Sequence, residues 1–259
     1  MNQQQTRNHF IDAIRGFAAI NMAVFHFLYD VFIIYEKNPH WYSLPAVHLW
    51  QQAICQTLIF LSGFVWQWGI RGNLRRGMRF NGYGCLITII TLVVIPSESI
   101  WFGILNFMGC AVLLLLGLQT VLKKIPPVCG LAVNFLLFVL CKQIQYGSIG
   151  IGSVFRIQVP AVLYSVKILT PFGFPFAGFR SSDYFPLLPW IFLYLCGYFF
   201  YRILQEHRVM ECSLWQRAAR YQVPVLSAVG SRTIWIYLLH QPVCMLVCYL
   251  VFGNIGIPH

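Results

Sequence analysis

Long apolar runs alternate with short polar connections along most of this chain. A helix that crosses a membrane needs about 20 predominantly apolar residues. Seven segments meet that condition, with the boundaries 10–35, 47–70, 81–96, 100–122, 128–145, 186–204 and 229–252. The pattern therefore predicts an all-α, polytopic helical membrane protein with about seven transmembrane helices. We see no internal repeat and no soluble domain, and we expect one transmembrane domain over residues 1–259.

The stretch 146–185, between the fifth and sixth runs, departs from this pattern. It opens with a glycine-rich sequence at 147–152. An apolar stretch follows that is interrupted by Arg156, Pro160 and Lys167. If this stretch crossed the membrane alone, the arginine-rich connection 202–220 would lie outside, against the positive-inside bias. We expect a re-entrant or interfacial segment that covers the outer mouth of the protein.

Basic residues mark every second connection. They precede the first run and fill the connections after the second, fourth and sixth runs, whereas the opposite connections 36–46 and 97–99 contain a single basic residue, Lys37. Since Lys and Arg accumulate on the cytoplasmic side, we expect the N-terminus in the cytoplasm and the C-terminus outside. The first run lacks a convincing cleavage site and is expected to stay as a helix. The predicted location is the bacterial cytoplasmic membrane.

Composition agrees with this class and restricts the partners. Charged residues make up 10% of the chain and apolar residues 58%, whereas soluble domains contain about 25% charged residues. The net charge of +11 is explained by topology, so no nucleic-acid partner is expected. Most of the nine cysteines lie within apolar runs, which indicates small buried side chains and neither a disulfide framework nor a metal site. A homodimer is compatible with the sequence.

Ionisable residues inside the apolar runs are the candidates for function, because charge is costly at that depth. His26 and Asp30 in the first run are four residues apart and share a helix face. A carboxylate at that position could orient the imidazole as a general base. Asp12 and Arg15 are expected to form an ion pair near the inner end.

His240 in the last run is expected at a depth similar to that of His26. His26 follows Arg15 by eleven residues, which is roughly 16 Å along a helix. His240 follows Gly230 by ten residues in a run of the same direction. We therefore expect one shared polar cavity, although His240 alone could instead satisfy a carbonyl that Pro242 leaves free.

Several blocks of sequence resemble the bacterial branch of the heparan-alpha-glucosaminide N-acetyltransferase catalytic-domain family. They are 11–26 (IDAIRGFAAINMAVFH), 61–63 (LSG), 102–105 (FGIL), 183–190 (DYFPLLPW) and 230–242 (GSRTIWIYLLHQP). The chain is also similar in pattern to the membrane acyltransferase-three family, in the spacing of Arg15 and His26 and in the RxxR sequence that ends at Arg79.

The resemblance implies a transmembrane acyltransferase that takes an acetyl group from cytoplasmic acetyl-CoA. The acceptor would be an amine or hydroxyl, usually of a sugar or glycan, on the other side. The family pattern also offers His40, in the connection after the first run, as an alternative to His26 for the catalytic imidazole. We favour His26, because Asp30 accompanies it. Attack by the acceptor could be direct or could pass through an acetyl-imidazole.

The remaining site residues follow from this hypothesis. Arg75, Arg76 and Arg79, together with Arg15, are candidates for the phosphates of acetyl-CoA, although topology or lipid headgroups would also explain the arginines. The pantetheine arm would pass Ser62 and Gly63, where small side chains leave room. His240 or Gln241 would donate to the oxyanion. Asp183 and Trp190 would hold a sugar, although Asp183 could instead cap the sixth helix.

Two other classes of function are compatible with these residues. A proton-coupled secondary transporter would use His26, Asp30 and His240 as a proton relay. The lack of an inverted repeat argues against it. A non-catalytic assembly or lipid-sensing protein would use the same polar groups as helix-packing contacts. Binding of acetyl-CoA would separate the enzyme from both.

Overall fold

The computed structural model describes residues 8–152 and 154–253. Within them the chain is mainly helical, as predicted. The α-helices are α1 (His9–Tyr29), α2 (Pro45–Phe64), α3 (Asn73–Val94), α4 (Ile104–Leu122), α5 (Pro127–Cys141), α6 (Leu187–Glu206), α7 (Ser213–Arg220), α8 (Pro224–Ser231) and α9 (Thr233–Phe252). A π-helical turn (Asp30–Ile34) extends α1, and a 3₁₀ segment (Val65–Gly72) joins α2 to α3.

Six helical stretches in the described residues are long and apolar enough to cross a membrane. One of them, Pro45–Val94, has 50 residues and contains both α2 and α3, where the sequence predicts two separate spans. The helical membrane class is therefore confirmed, whereas the count of seven spans stays a prediction. Many apolar side chains of α3 and α9 are exposed, among them Val93 at 78% and Leu250 at 73%, as lipid-facing helices require.

The chain divides into two compact units. The terminal unit consists of the residues up to Leu58 and those from Arg208 onward, and the central unit consists of Ile59–His207.

In the terminal unit, α1 packs against α8 and α9. The contact with α8 is close because both helices have glycine at the crossing. A Cβ on Gly16 would lie 2.0 Å from the Leu226 carbonyl oxygen, and one on Gly230 would lie 1.7 Å from the Asp12 carbonyl oxygen. Met22, Phe25 and three other buried residues form the core of this unit. The crossing with α8 thus fixes the position of the N-terminal half of α1, and the rest of the helix extends from there.

In the central unit, α3 packs against α4 and α5 against α6. The described residues of 146–185 contain no helix long enough to cross a membrane, as predicted, whereas a re-entrant or interfacial placement stays a prediction. A two-stranded antiparallel sheet, β1 (Ser148–Ile151) and β2 (Phe155–Gln158), is followed by 3₁₀ turns at Ala161–Tyr164 and Lys167–Phe172. The hydroxyl of Tyr164 donates to the Ile144 carbonyl and that of Tyr184 to the Thr170 carbonyl. Burial raises the pKa of both phenols, so they remain neutral donors.

Candidate active site

Two imidazoles meet inside the terminal unit. The ring of His26 on α1 lies edge-on to that of His240 on α9, with 4.8 Å between the centroids and 61° between the planes. Both side chains are partly buried. The two histidines that the sequence places at a similar depth are therefore in contact, whereas their depth in a membrane and their roles stay predictions. The ring of Tyr237 borders His240 at 5.6 Å.

The hydrogen bonds of His240 define its tautomer. Its Nδ1 lies 2.7 Å from the Tyr237 carbonyl oxygen and 3.2 Å from that of Ile236. Because carbonyl oxygens only accept, we assign the ring proton to Nδ1. Nε2 of the neutral ring then has a lone pair, and it is buried without a protein partner among the described residues.

This arrangement corrects two expectations for His240. The carbonyl that Pro242 deprives of its helical donor is that of Leu238, four residues earlier, but His240 bonds the carbonyls of Ile236 and Tyr237 instead. The neutral ring also has no second donor for an oxyanion, since its only proton is used by the backbone. His240 is therefore built to accept a proton rather than to donate a hydrogen bond.

Asp30 is held by α9. It is fully buried, and its Oδ1 accepts a hydrogen bond of 2.8 Å from Nε2 of Gln241. The described residues show no hydrogen bond between Asp30 and His26, although the sequence predicts that the carboxylate orients this imidazole. The reason lies in α9, whose consecutive residues His240 and Gln241 contact His26 and Asp30 respectively. Asp30 also begins the π-helical turn, a distortion that often occurs at functional sites.

Three buried atoms of this cluster have no protein partner among the described residues. They are Oδ2 of Asp30, Oε1 of Gln241 and Nε2 of His240. A carboxylate oxygen, an amide oxygen and the free nitrogen of a neutral imidazole all accept hydrogen bonds. Buried polar groups are almost always satisfied, so these three atoms can accept hydrogen bonds from water or from a ligand that brings N–H or O–H groups.

An apolar groove borders His240. Its volume is about 460 Å³, and Trp235, Leu239 and Val243 of α9 contribute to its lining, with Arg232 at the start of the helix. The side chains of α9 that line it are largely exposed. The groove surrounds one side of the His240 ring with apolar side chains. Hydrogen bonds are stronger in such apolar surroundings than in water.

His40 does not join this cluster. Its side chain is exposed, and the residue precedes the 3₁₀ turn Trp41–Ser43. Among the described residues no hydrogen bond or ring contact joins His40 to His26 or His240. Its neighbour Trp41 is buried and packs against Phe25, with ring centroids 5.4 Å apart. The geometry therefore favours His26 over His40 as a partner in the site.

Arg15 forms the predicted ion pair, with 3.2 Å between its Nη1 and Oδ1 of Asp12. The pair lies on the same helix as His26, near the crossing with α8. Its role toward acetyl-CoA stays a prediction.

In the central unit the three predicted arginines do not converge. Arg75 and Arg79 are exposed, whereas Arg76 is half-buried. Nη2 of Arg76 lies 3.4 Å from both Oγ of Ser62 and the hydroxyl of Tyr194. Among the described residues Arg76 has no carboxylate partner, and its Nε is buried without an acceptor. Arg75 and Arg79 lie one helical turn apart on α3. Because both are exposed, a ligand can reach them.

The predicted path beside Gly63 is closed. A Cβ on Gly63 would lie 1.9 Å from the Tyr194 carbonyl oxygen, because the backbone of α6 occupies this space. The glycine serves close helix packing, so a pantetheine arm cannot pass there.

Asp183 and Trp190 have structural partners. Oδ2 of Asp183 accepts a 3.1 Å hydrogen bond from the backbone N–H of Ile104, the first residue of α4. The carboxylate therefore caps α4 rather than α6. Trp190 packs between Phe138 and Phe185, with centroid distances of 5.8 and 5.0 Å. A sugar-binding role for either residue stays a prediction.

Besides the bond between Gln241 and Asp30, sequence reasoning missed a polar contact between α1 and α2. Nε1 of Trp50 donates to Oδ1 of Asn21 at 3.0 Å. This hydrogen bond connects α2 to α1 between one and two helical turns before His26. An asparagine inside an apolar run was the available signal, since such residues often join membrane helices. No group of His, Cys, Asp and Glu in the described part of the chain could hold a metal ion.

Comparison with known proteins identifies the family. Residues 7–242 match the family described as heparan-alpha-glucosaminide N-acetyltransferase, catalytic. The match includes both histidines, Asp30 and Gln241. No curated protein and no solved structure matches the chain significantly. The chain belongs to the family of heparan-alpha-glucosaminide N-acetyltransferase catalytic domains, and is thus a transmembrane acetyltransferase by family.

Proposed function

We propose that this protein transfers an acetyl group from cytoplasmic acetyl-CoA to an amine or hydroxyl, of a sugar or glycan, on the non-cytoplasmic side of a bacterial membrane. The family supports acetyl transfer. The observation that carries the proposal is the cluster of three buried acceptor atoms on Asp30, His240 and Gln241. An amine or hydroxyl supplies the donors that these atoms lack and is also the nucleophile that the reaction needs.

The chemistry follows from the roles of these atoms. The acceptor's N–H or O–H groups donate to Oδ2 of Asp30 and Oε1 of Gln241. Its nitrogen or oxygen attacks the thioester carbonyl, so that a new C–N or C–O bond forms and the C–S bond breaks. An imidazole of the pair takes the proton of the nucleophile and returns it to the departing thiolate. The hydrogen bonds of His240 favour its Nε2 for this step, with the ring of His26 packed against it.

The test is acetyl transfer by the purified protein in lipid nanodiscs, with labelled acetyl-CoA and a panel of amino sugars and glycans. We expect His240→Ala and His26→Ala each to lower the transfer rate by roughly 10²-fold or more. The double variant should be no slower than the worse single variant, because residues that act as a unit are not additive. His40→Ala is the matched control, since this exposed histidine has no contact with the pair.

Two results would contradict the proposal. Full transfer activity in both single variants, with the proteins shown to be folded, would remove the imidazole pair from the reaction. Proton-coupled solute uptake by vesicles that is lost in His26→Ala, without any acetyl transfer, would support the transporter instead.

A further inference from the structure

A polar cavity lies in the central unit, where the sheet β1–β2 follows α5. Its volume is about 260 Å³, and it is lined by Gln143, Ser148, Gly150, Gly152 and Arg156. These residues have no part in the acetyl-transfer site. Three of the five bring polar side chains and two bring only backbone.

The register of the sheet explains why the cavity is polar. Gly150 pairs with Arg156 and Ser148 with Gln158, so these residues share one face, because side chains alternate along a strand. The opposite face consists of apolar residues, namely Ile149, Ile151, Phe155 and Ile157. The sheet is therefore amphipathic, and its polar face forms the cavity wall.

The two glycines provide the room. Gly150 has a φ of +146°, and a Cβ there would lie 1.9 Å from the Phe155 carbonyl oxygen. Gly152 has a φ of +53° and faces open space. Both backbone conformations favour glycine. A side chain at Gly150 would disrupt the pairing of the strands. Because glycine has none, the space in front of Arg156 stays open.

The charge of the cavity is unbalanced. Arg156 is exposed and has no ion-pair partner within residues 8–152 and 154–253. Gln143 is exposed, Ser148 is buried, and neither side chain takes part in a hydrogen bond of the described structure. A guanidinium flanked by a free amide and a free hydroxyl suits a ligand that combines an oxyanion with hydroxyl groups.

We propose that this cavity binds an oxyanion, a phosphate or carboxylate, carried on a polyol. The oxyanion pairs with the guanidinium of Arg156, and neighbouring hydroxyls bond the amide of Gln143 and the hydroxyl of Ser148. A lipid headgroup of the glycerol phosphate type and a free anionic sugar share this chemistry. This proposal uses none of the residues assigned to acetyl transfer, so its test does not depend on the proposed function.

The experiment uses the full chain in nanodiscs of zwitterionic phosphatidylcholine, which has no net charge. Saturation-transfer NMR titrations measure binding of glycerol 3-phosphate and glucuronate, with glycerol and glucose as neutral probes. We expect the anionic probes to bind about tenfold tighter than the neutral ones. Arg156→Gln should abolish that preference, and Gln143→Leu should weaken binding of both kinds of probe. Arg180→Gln is the control, because Arg180 is an exposed arginine of the same segment that does not line the cavity.

Nanodiscs that contain phosphatidylglycerol distinguish the two sources. Loss of glycerol 3-phosphate binding in these discs for wild type would assign the cavity to a lipid headgroup. Unchanged binding would assign it to a soluble anion. Equal affinity for anionic and neutral probes, or equal weakening by Arg180→Gln and Arg156→Gln, would overturn the proposal. Thermal unfolding within about 2 °C of wild type would show that Arg156→Gln and Arg180→Gln remain folded.

Discussion

Gln241 of α9 donates a hydrogen bond of 2.8 Å to Asp30, which precedes it by 211 residues in the chain. Both residues lie in apolar helical stretches, where lipid offers no hydrogen-bond partner. The remaining oxygens of both side chains are buried and unpartnered among the described residues. The pair therefore holds α1 and α9 together and leaves two acceptors for a ligand.

Removing this hydrogen bond should cost stability and activity together. In Gln241→Leu the buried carboxyl of Asp30 loses its donor, which costs about 1–3 kcal/mol or more. We expect a lower unfolding temperature and a lower acetyl-transfer rate. In a double-mutant cycle with Asp30→Asn, the two changes should couple by more than about 0.5 kcal/mol.

Gln52→Leu on α2 is the matched control for this cycle, because within the described residues the Gln52 side chain is hydrogen-bonded to Gln56 of its own helix alone. Strictly additive effects of Gln241→Leu and Asp30→Asn would show that the pair does not interact in the folded protein.

The crossing of α1 and α8 predicts a second result. Gly16→Ala and Gly230→Ala each place a methyl group against backbone of the other helix, at 2.0 and 1.7 Å from a carbonyl oxygen. We expect a loss of at least about 2 kcal/mol in the free energy of unfolding, measured by denaturant unfolding in detergent. Gly117→Ala on α4 is the control, since its methyl group meets nothing within 4 Å, and it should be neutral or stabilising. Wild-type stability in Gly230→Ala would contradict the close crossing.

Arg75 and Arg79 of α3 are expected to bind the phosphates of acetyl-CoA, whereas Arg71 is not. Because Arg75 and Arg79 are exposed, the variant Arg75→Gln/Arg79→Gln should weaken acetyl-CoA binding roughly tenfold through loss of charge-assisted hydrogen bonds to phosphate. Calorimetric titration measures the effect. Arg71→Gln, an exposed arginine just before α3, should leave the affinity unchanged. The same weakening in Arg71→Gln would point to nonspecific attraction by the basic surface.

Asp183 should act through the fold rather than through a substrate. Asp183→Ala removes the carboxylate that accepts from the N–H of Ile104, and loss of a helix cap costs about 1 kcal/mol. Asp183→Asn, which retains an acceptor oxygen, should restore most of that stability. A large rise in the KM of the acceptor in Asp183→Asn, with unchanged unfolding, would instead support the sugar-binding role.

The local sequence was sufficient for the helical class and for the choice of candidate residues. Apolar runs longer than a membrane core specify helices, because only internally bonded backbone is stable in lipid. Polar residues in such runs are few, so His26, Asp30, His240 and Gln241 can be found without a structure. The irregular nature of 146–185 also follows from its glycines and charges.

The pairing of these residues was decided only by the tertiary structure. Spacing on one helix predicts that Asp30 meets His26, but α9 supplies a competing partner for each, and the rotation of α9 against α1 is set by packing that no local pattern encodes. The same holds for Asp183, which caps α4 from a distant loop, and for Gly63, whose missing side chain admits the backbone of α6. A sequence shows which groups are unusual at their depth, whereas the folded contacts determine which atoms remain unsatisfied and so which atoms can act.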